Sequence, residues 1–138
     1  MELTIIALLI SLAAPLFLLP VEKLLPYPHV IEELLKLVIV FLIYKSAKET
    51  KTDLLKWVVI AAVLFTISES VFYLANIFAL GNISLFTQRL LLTGTLHLGT
   101  FLLLYFSIKK NYFWLAGGVT ASILIHYFYN SIISSNSF

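Results

Sequence analysis

Cysteine is missing from the chain altogether. That excludes disulfides, thiolate metal sites and cysteine nucleophiles, and it leaves the redox compartment unread. Charge is scarce as well, at 12% of residues against about 25% in ordinary globular chains. A surface so poor in charge does not keep a chain of this size in water. The net charge of +2 is too small to point to a nucleic-acid partner. Linkers, low-complexity tracts and internal repeats are lacking, and so is the alternating polarity of a membrane β-barrel. There is no HExxH zinc motif. The serines have no paired base at the spacing of a Ser-His-Asp set.

What the chain does contain is apolar length. Hydrophobic residues make up 61% of its 138 positions, against an ordinary 45–50% or so, and the mean hydropathy is +1.02. These values belong to a protein dissolved in lipid. A hydrocarbon core about 30 Å thick is crossed by about 20 helical residues. Five segments qualify or nearly so, at roughly 3–19, 29–45, 54–80, 85–108 and 112–134. Helices are the expected spanning form, because lipid offers no partner to a backbone N–H or C=O. The run Leu3 to Leu19 is long for a signal peptide, and Glu2 stands where basic residues belong, so a retained first span is expected. Pro20, Pro26 and Pro28 punctuate the first connection, Gly81 and Asn82 the third, and Lys109, Lys110 and Asn111 the fourth. The expected fold is all-α, a single polytopic transmembrane helix bundle over residues 1–138.

Lysine and arginine orient it. The second connection carries Lys45, Lys48, Lys51 and Lys56 and the fourth Lys109 and Lys110, whereas the opposite side has Lys23 and Arg89. The lysine-rich side is expected in the cytoplasm. That puts the N-terminus inside and the C-terminus outside, in a multi-pass cell-membrane protein.

Ionisable groups at membrane depth cost at least ~2.5–3.5 kcal/mol each on insertion scales, so they read as functional by default. Span two opens with Glu32, Glu33 and Lys36, spaced three and four apart on one helix surface. A plain ion pair would account for one of these carboxylates and leave the second without a partner in the segment. Span three carries Thr66, Glu69, Tyr73 and Asn76 as one polar stripe. Span four carries Arg89, Thr93, His97 and Thr100, with Arg89 able to snorkel outward as an anchor. Span five has Ser122, His126 and Asn130, preceded by Gly117 and Gly118 for close packing. Each stripe also has a purely structural reading, as hydrogen-bonded contacts between helices. Their depths agree, however, from the centre to the outer leaflet. Four helices with polar groups at one level argue for a shared cavity.

Carboxylates and imidazoles in a wetted cavity suit water activation. A Glu takes the proton, one His orients the water, and a second His with an amide donor steadies an oxyanion. No cofactor is required for this. Zinc held by His97, His126 and Glu69 is the metal alternative.

The ordered set EELLK at 32–36, SESVFYL at 68–74, RLLLTGTLHLGT at 89–100 and HYFYN at 126–130 resembles the PrsW family of intramembrane proteases. That family belongs to the wider group with the bacterial Abi proteins and the CAAX prenyl endopeptidase. The resemblance covers spans two to five. It implies a glutamate-type hydrolase that cuts a membrane-anchored protein near the outer face, as in regulated proteolysis of anti-sigma factors. It implies Glu32 as general base on a water shared with His97, and Glu33 as its partner or support. His126 and Asn130 would bind the substrate carbonyl, and Glu69 matches the family's additional Glu. Lys36, Arg89 and Tyr73 would support the site. The chain departs from the pattern at Ser70, where the family usually has Asn, and at Thr66-Ile67-Ser68, where it has a Gly-rich approach. Two rival functions use the same residues. One is a non-catalytic scaffold, as in a distant subunit of gamma-secretase, and the other is a proton-coupled channel or transporter.

Overall fold

Each apolar run becomes one helix, and the punctuation between runs sets where it starts and stops. The computed structural model describes residues 2–22, 24–50, 53–80 and 83–135. Five helices follow in order: α1 (Glu2–Glu22), α2 (Pro28–Thr50), α3 (Leu54–Leu80), α4 (Ile83–Ile108) and α5 (Tyr112–Ser135). No strand occurs among the described residues. Pro28 opens α2, where its missing N–H costs no helical bond and its fixed φ suits the first turn. Asp53 caps α3, its Oδ1 accepting from Leu55 N at 3.1 Å, and Asn111 caps α5 by accepting from Trp114 N at 3.1 Å. Lys23, Lys51, Gly81 and Asn82 lie outside the described residues, as do the side chains of Tyr73 and Asn76.

Packing puts the most charged helix in the middle. α2 touches all four other helices, α1 lies on α2 and α3, and α5 lies on α2 and α4. Among the described residues α3 and α5 do not touch. Carboxylates and an ammonium on α2 need enclosure on every side, and the neighbours provide it. Along its length the bundle divides in two. One half holds an apolar core of Ile39, Val40 and Ile43 from α2 with Ala61, Phe65, Phe101 and Leu104. The other half buries Glu32, Glu33, Lys36, His97 and His126.

The distribution of polarity is the reverse of a water-soluble domain. Phe17, Phe41, Val71, Leu91 and Phe128, one from each helix, are all more than half exposed, while the interior buries as many polar residues as apolar ones. Exposed large apolar surface on this scale marks a partner or a membrane. Among the described residues, two helices are long and apolar enough to cross a bilayer, through Leu54–Val71 and Phe86–Ile108. The apolar stretch Glu2–Leu18 is shorter. In α2 no comparable stretch avoids the charges at Glu32, Glu33, Lys36, Lys45 and Lys48. In α5 His126, Asn130 and several tyrosines and serines lower the apolar character.

Close approach of α4 and α5 depends on one of the paired glycines. A Cβ on Gly118 would run into the Ser107 side chain, whose hydroxyl donates to Leu103 O at 2.7 Å, whereas a Cβ on Gly117 meets open space. Gly118→Ala is therefore expected to destabilise by about 1–3 kcal/mol through overpacking. Gly117→Ala should be neutral or stabilise by up to about 1 kcal/mol through helix propensity. Thermal unfolding in detergent separates them; identical melting of the two variants would remove this contact from the account.

Candidate active site

Helical spacing brings Lys36 between the two acids. Its Nζ lies 3.1 Å from Glu32 Oε1, one turn back, and 2.7 Å from Glu33 Oε1. Lys36 is fully buried, also reaches Thr100 Oγ1 at 3.4 Å, and stands 5.3 Å from the centre of the Phe65 ring. A charge so enclosed is tolerable only with partners of opposite sign.

The two glutamates have different surroundings. Glu33 has no exposed surface, and its Oε1 accepts from both Lys36 Nζ and His126 Nδ1 at 2.7 Å each. Glu32 faces both imidazoles more loosely, with Oε1 3.5 Å from His97 Nδ1 and Oε2 3.6 Å from His126 Nε2. Lys36 Nζ pairs with Glu32 Oε1 by charge at 3.1 Å. His97 Nδ1 is buried without any hydrogen-bond partner. Such orphaned atoms are uncommon inside proteins and call for a physical explanation.

The second ring nitrogen of His97, Nε2, is hydrogen-bonded to Glu69 Oε2 from α3. His97 itself has no exposed surface and packs edge-on to Phe65, with ring centroids 5.1 Å apart. A continuous sequence of groups results, running Glu69, His97, Glu32, His126, Glu33, Lys36. Four helices contribute to it.

Beside this network lies a cavity of about 280 Å³, walled by Glu69 from α3, Arg89, Thr93 and Leu96 from α4, and His126, Tyr129, Asn130 and Ile133 from α5. That is room for several waters or a short stretch of peptide. It sits between α3 and α5, the helices that do not touch. Glu69, Arg89, His126 and Asn130 thus share one wall system, and Glu32 and Glu33 stand behind His126. Tyr73 cannot be placed, since its side chain is outside the described residues.

Among the described residues, two groups of three could reach a single cation, Glu32 with Glu69 and His97, and Glu32 with Glu33 and His126, their ligand atoms within 4.8 Å of one another. Both are built on Glu32, which the alternative set of His97, His126 and Glu69 leaves out. In the second, Lys36 Nζ already supplies positive charge to both carboxylates. In the first, His97 and Glu69 bond to each other directly.

Residues missed by sequence reasoning are His29, Tyr129 and the partner role of Thr93. Tyr129 Oη and Thr93 Oγ1 share a hydrogen bond of 2.8 Å across the cavity wall. The HYFYN string contains Tyr129, but nothing local distinguishes it from Tyr127, which is exposed. The chain matches no family model, no curated protein and no solved structure.

Proposed function

We propose that this protein is a multi-pass membrane protein of five spans and an intramembrane endopeptidase that uses a Glu-activated water. The membrane reading rests on apolar faces turned outward on every helix and on polar groups enclosed within. Helices of 21–27 residues are about 31–41 Å long, enough for a bilayer core of about 30 Å. Lys45, Lys48, Lys56, Lys109 and Lys110 gather at one end, with Lys48, Lys56, Lys109 and Lys110 each over an aromatic ring. Lysine and aromatic residues together belong at a cytoplasmic interface. The N-terminus is then cytoplasmic, and the cavity opens toward the extracytoplasmic side.

One observation carries the enzymatic reading: Glu32 Oε1, held by Lys36 at 3.1 Å, faces at 3.5 Å the His97 Nδ1, a buried nitrogen with no hydrogen-bond partner. Residues that serve only to join helices satisfy one another. A carboxylate and an imidazole nitrogen left open before it are suited to hold a water between them. In the proposed reaction Glu32 takes a proton from that water as its oxygen bonds to the peptide carbonyl carbon. The C–N bond then breaks, and the proton passes from Glu32 to the leaving nitrogen.

Glu33 is a positioning residue here, since both of its neighbours, Lys36 and His126, are fixed by its Oε1. The Nδ1–H that His126 donates to Glu33 leaves Nε2 of the neutral ring as an acceptor. The Asn130 amide is therefore the donor available to the oxyanion without a change of protonation. Glu69 orients His97. The resemblance to the PrsW family proposes the same division of labour, and the gap between α3 and α5 gives a membrane-anchored segment a lateral way in.

Incubating purified protein in vesicles with candidate single-span substrates tests the reading. Wild type is expected to cut them near the outer face, and equal cutting by Glu32→Ala would refute it. Metal analysis of the active preparation is expected to show no stoichiometric zinc, because Lys36 and Glu69 already hold the groups that would bind it. One zinc per chain with activity lost on chelation would overturn the metal-free route.

A further inference from the structure

His29 belongs neither to the network nor to the cavity wall, yet it lies against the site. It sits in the first turn of α2, three residues before Glu32 and four before Glu33, so the three share one side of the helix. Only 8% exposed, it makes no hydrogen bond among the described residues. Its nitrogens are not among the fully enclosed polar atoms, so water reaches them. Its ring centroid stands 6.1 Å from that of His126, 5.6 Å from Tyr127 and 6.2 Å from Tyr27. His126 is in turn 6.1 Å from His97.

The three imidazoles are therefore neighbours graded in burial. His97 is wholly enclosed, His126 is nearly so, and His29 lies just beneath Tyr27 and Tyr127, which are exposed. Burying an imidazole without a hydrogen bond is costly unless a mobile partner serves it. The charged and titratable groups facing His29 are Glu32 and Glu33 from its own helix and His126 from α5.

We propose that His29 is a proton port, passing protons between His126 and the outer side while substrate fills the cavity. This rests on the hydrolase reading. Cleavage of R–CO–NH–R′ by water gives a carboxylic acid and an amine, which leave as carboxylate and ammonium. The proton that the new acid gives up equals the one that the amine takes up, so the traffic is an exchange with no net release, and Glu32 is already a carboxylate once it has protonated the nitrogen. When the cavity is empty, water in it can carry those protons. When a peptide occupies it, that route is blocked at His126, whereas His29, which is not part of the cavity wall, stands 6.1 Å from the same ring. His29 is a positioning and relay residue, with no contact to the scissile bond.

The test uses the full chain with ¹⁵N-labelled histidine in detergent or vesicles, as wild type, His29→Phe and His29→Gly. Phe keeps the aromatic contacts with Tyr27 and Tyr127 and removes the nitrogens. Exchange of the His126 ring N–H with water is expected to slow in His29→Phe. The kcat should fall by about 10²-fold at unchanged KM. Imidazole added to His29→Gly should restore both.

Wild-type exchange and kcat in His29→Phe would overturn the proposal. So would a loss of kcat that imidazole does not restore and that leaves exchange unaltered, because that pattern is structural. If wild type cuts no substrate yet exchange still depends on His29, the port stands and the hydrolase reading falls. If His29→Phe does not fold, His29→Gln carries the same comparison.

Discussion

Glu32→Gln is expected to reduce cleavage by ~10²–10⁴-fold, the range for losing a general base, with little change in melting. Gln has nearly the same shape and keeps an oxygen that can face Lys36, which stands 3.1 Å from Glu32 Oε1. Lys36 retains Glu33 at 2.7 Å. Glu33→Gln should behave differently. Its carboxylate is the acceptor for both Lys36 and His126, so the substitution weakens the fold and misorients His126 together. Melting and kcat measured on both variants separate the roles. If Glu33→Gln were the inactive, stable variant and Glu32→Gln the active one, the assignments would have to be exchanged.

Lys36→Met should have the largest effect on stability. It leaves Glu32 and Glu33 buried beside each other with no cation, and breaking a buried ion pair from one side costs about 3–5 kcal/mol. Methionine has comparable length and keeps contact with Phe65, so lost volume contributes little. The charge explanation makes a second demand. Adding Glu32→Gln and Glu33→Gln to Lys36→Met should recover most of the loss, since an uncharged replacement of a whole buried ion set is often neutral or better. Unfolding of wild type, single and triple variants in one detergent decides it. A triple variant no more stable than Lys36→Met would mean that packing around the lysine stem, and not charge, was lost.

The five helices were legible because each begins and ends at a local signal. Pro28, Asp53 and Asn111 mark starts that act within one turn of themselves. The polar stripes were legible for the same reason: Glu32, Glu33 and Lys36 meet through helical spacing alone. The unequal state of the two glutamates could not be read, because it is decided by His126, 93 residues further along the chain. Tyr129 and Thr93 meet across 36 residues with no motif to announce it. His29 escaped notice at the mouth of α2, where a histidine beside two prolines resembles an ordinary helix boundary. Its meaning comes from Tyr127 and His126 on another helix. The metal alternative weighed from the sequence leaves out Glu32, which both cation-sized clusters among the described residues contain.

The central position of α2 also bears on how the chain is made. At a synthesis rate of about 5–20 residues per second, His126 emerges roughly 5–19 s after Glu33. In that interval the acids have one nearby neutralising group, Lys36, already present on the same helix at the right spacing. The lysine thus serves as a built-in counterion for the nascent chain before it becomes part of the finished site. A ribosome stalled after α3 would release a fragment whose α2 has its ammonium but lacks the enclosure provided by α4 and α5.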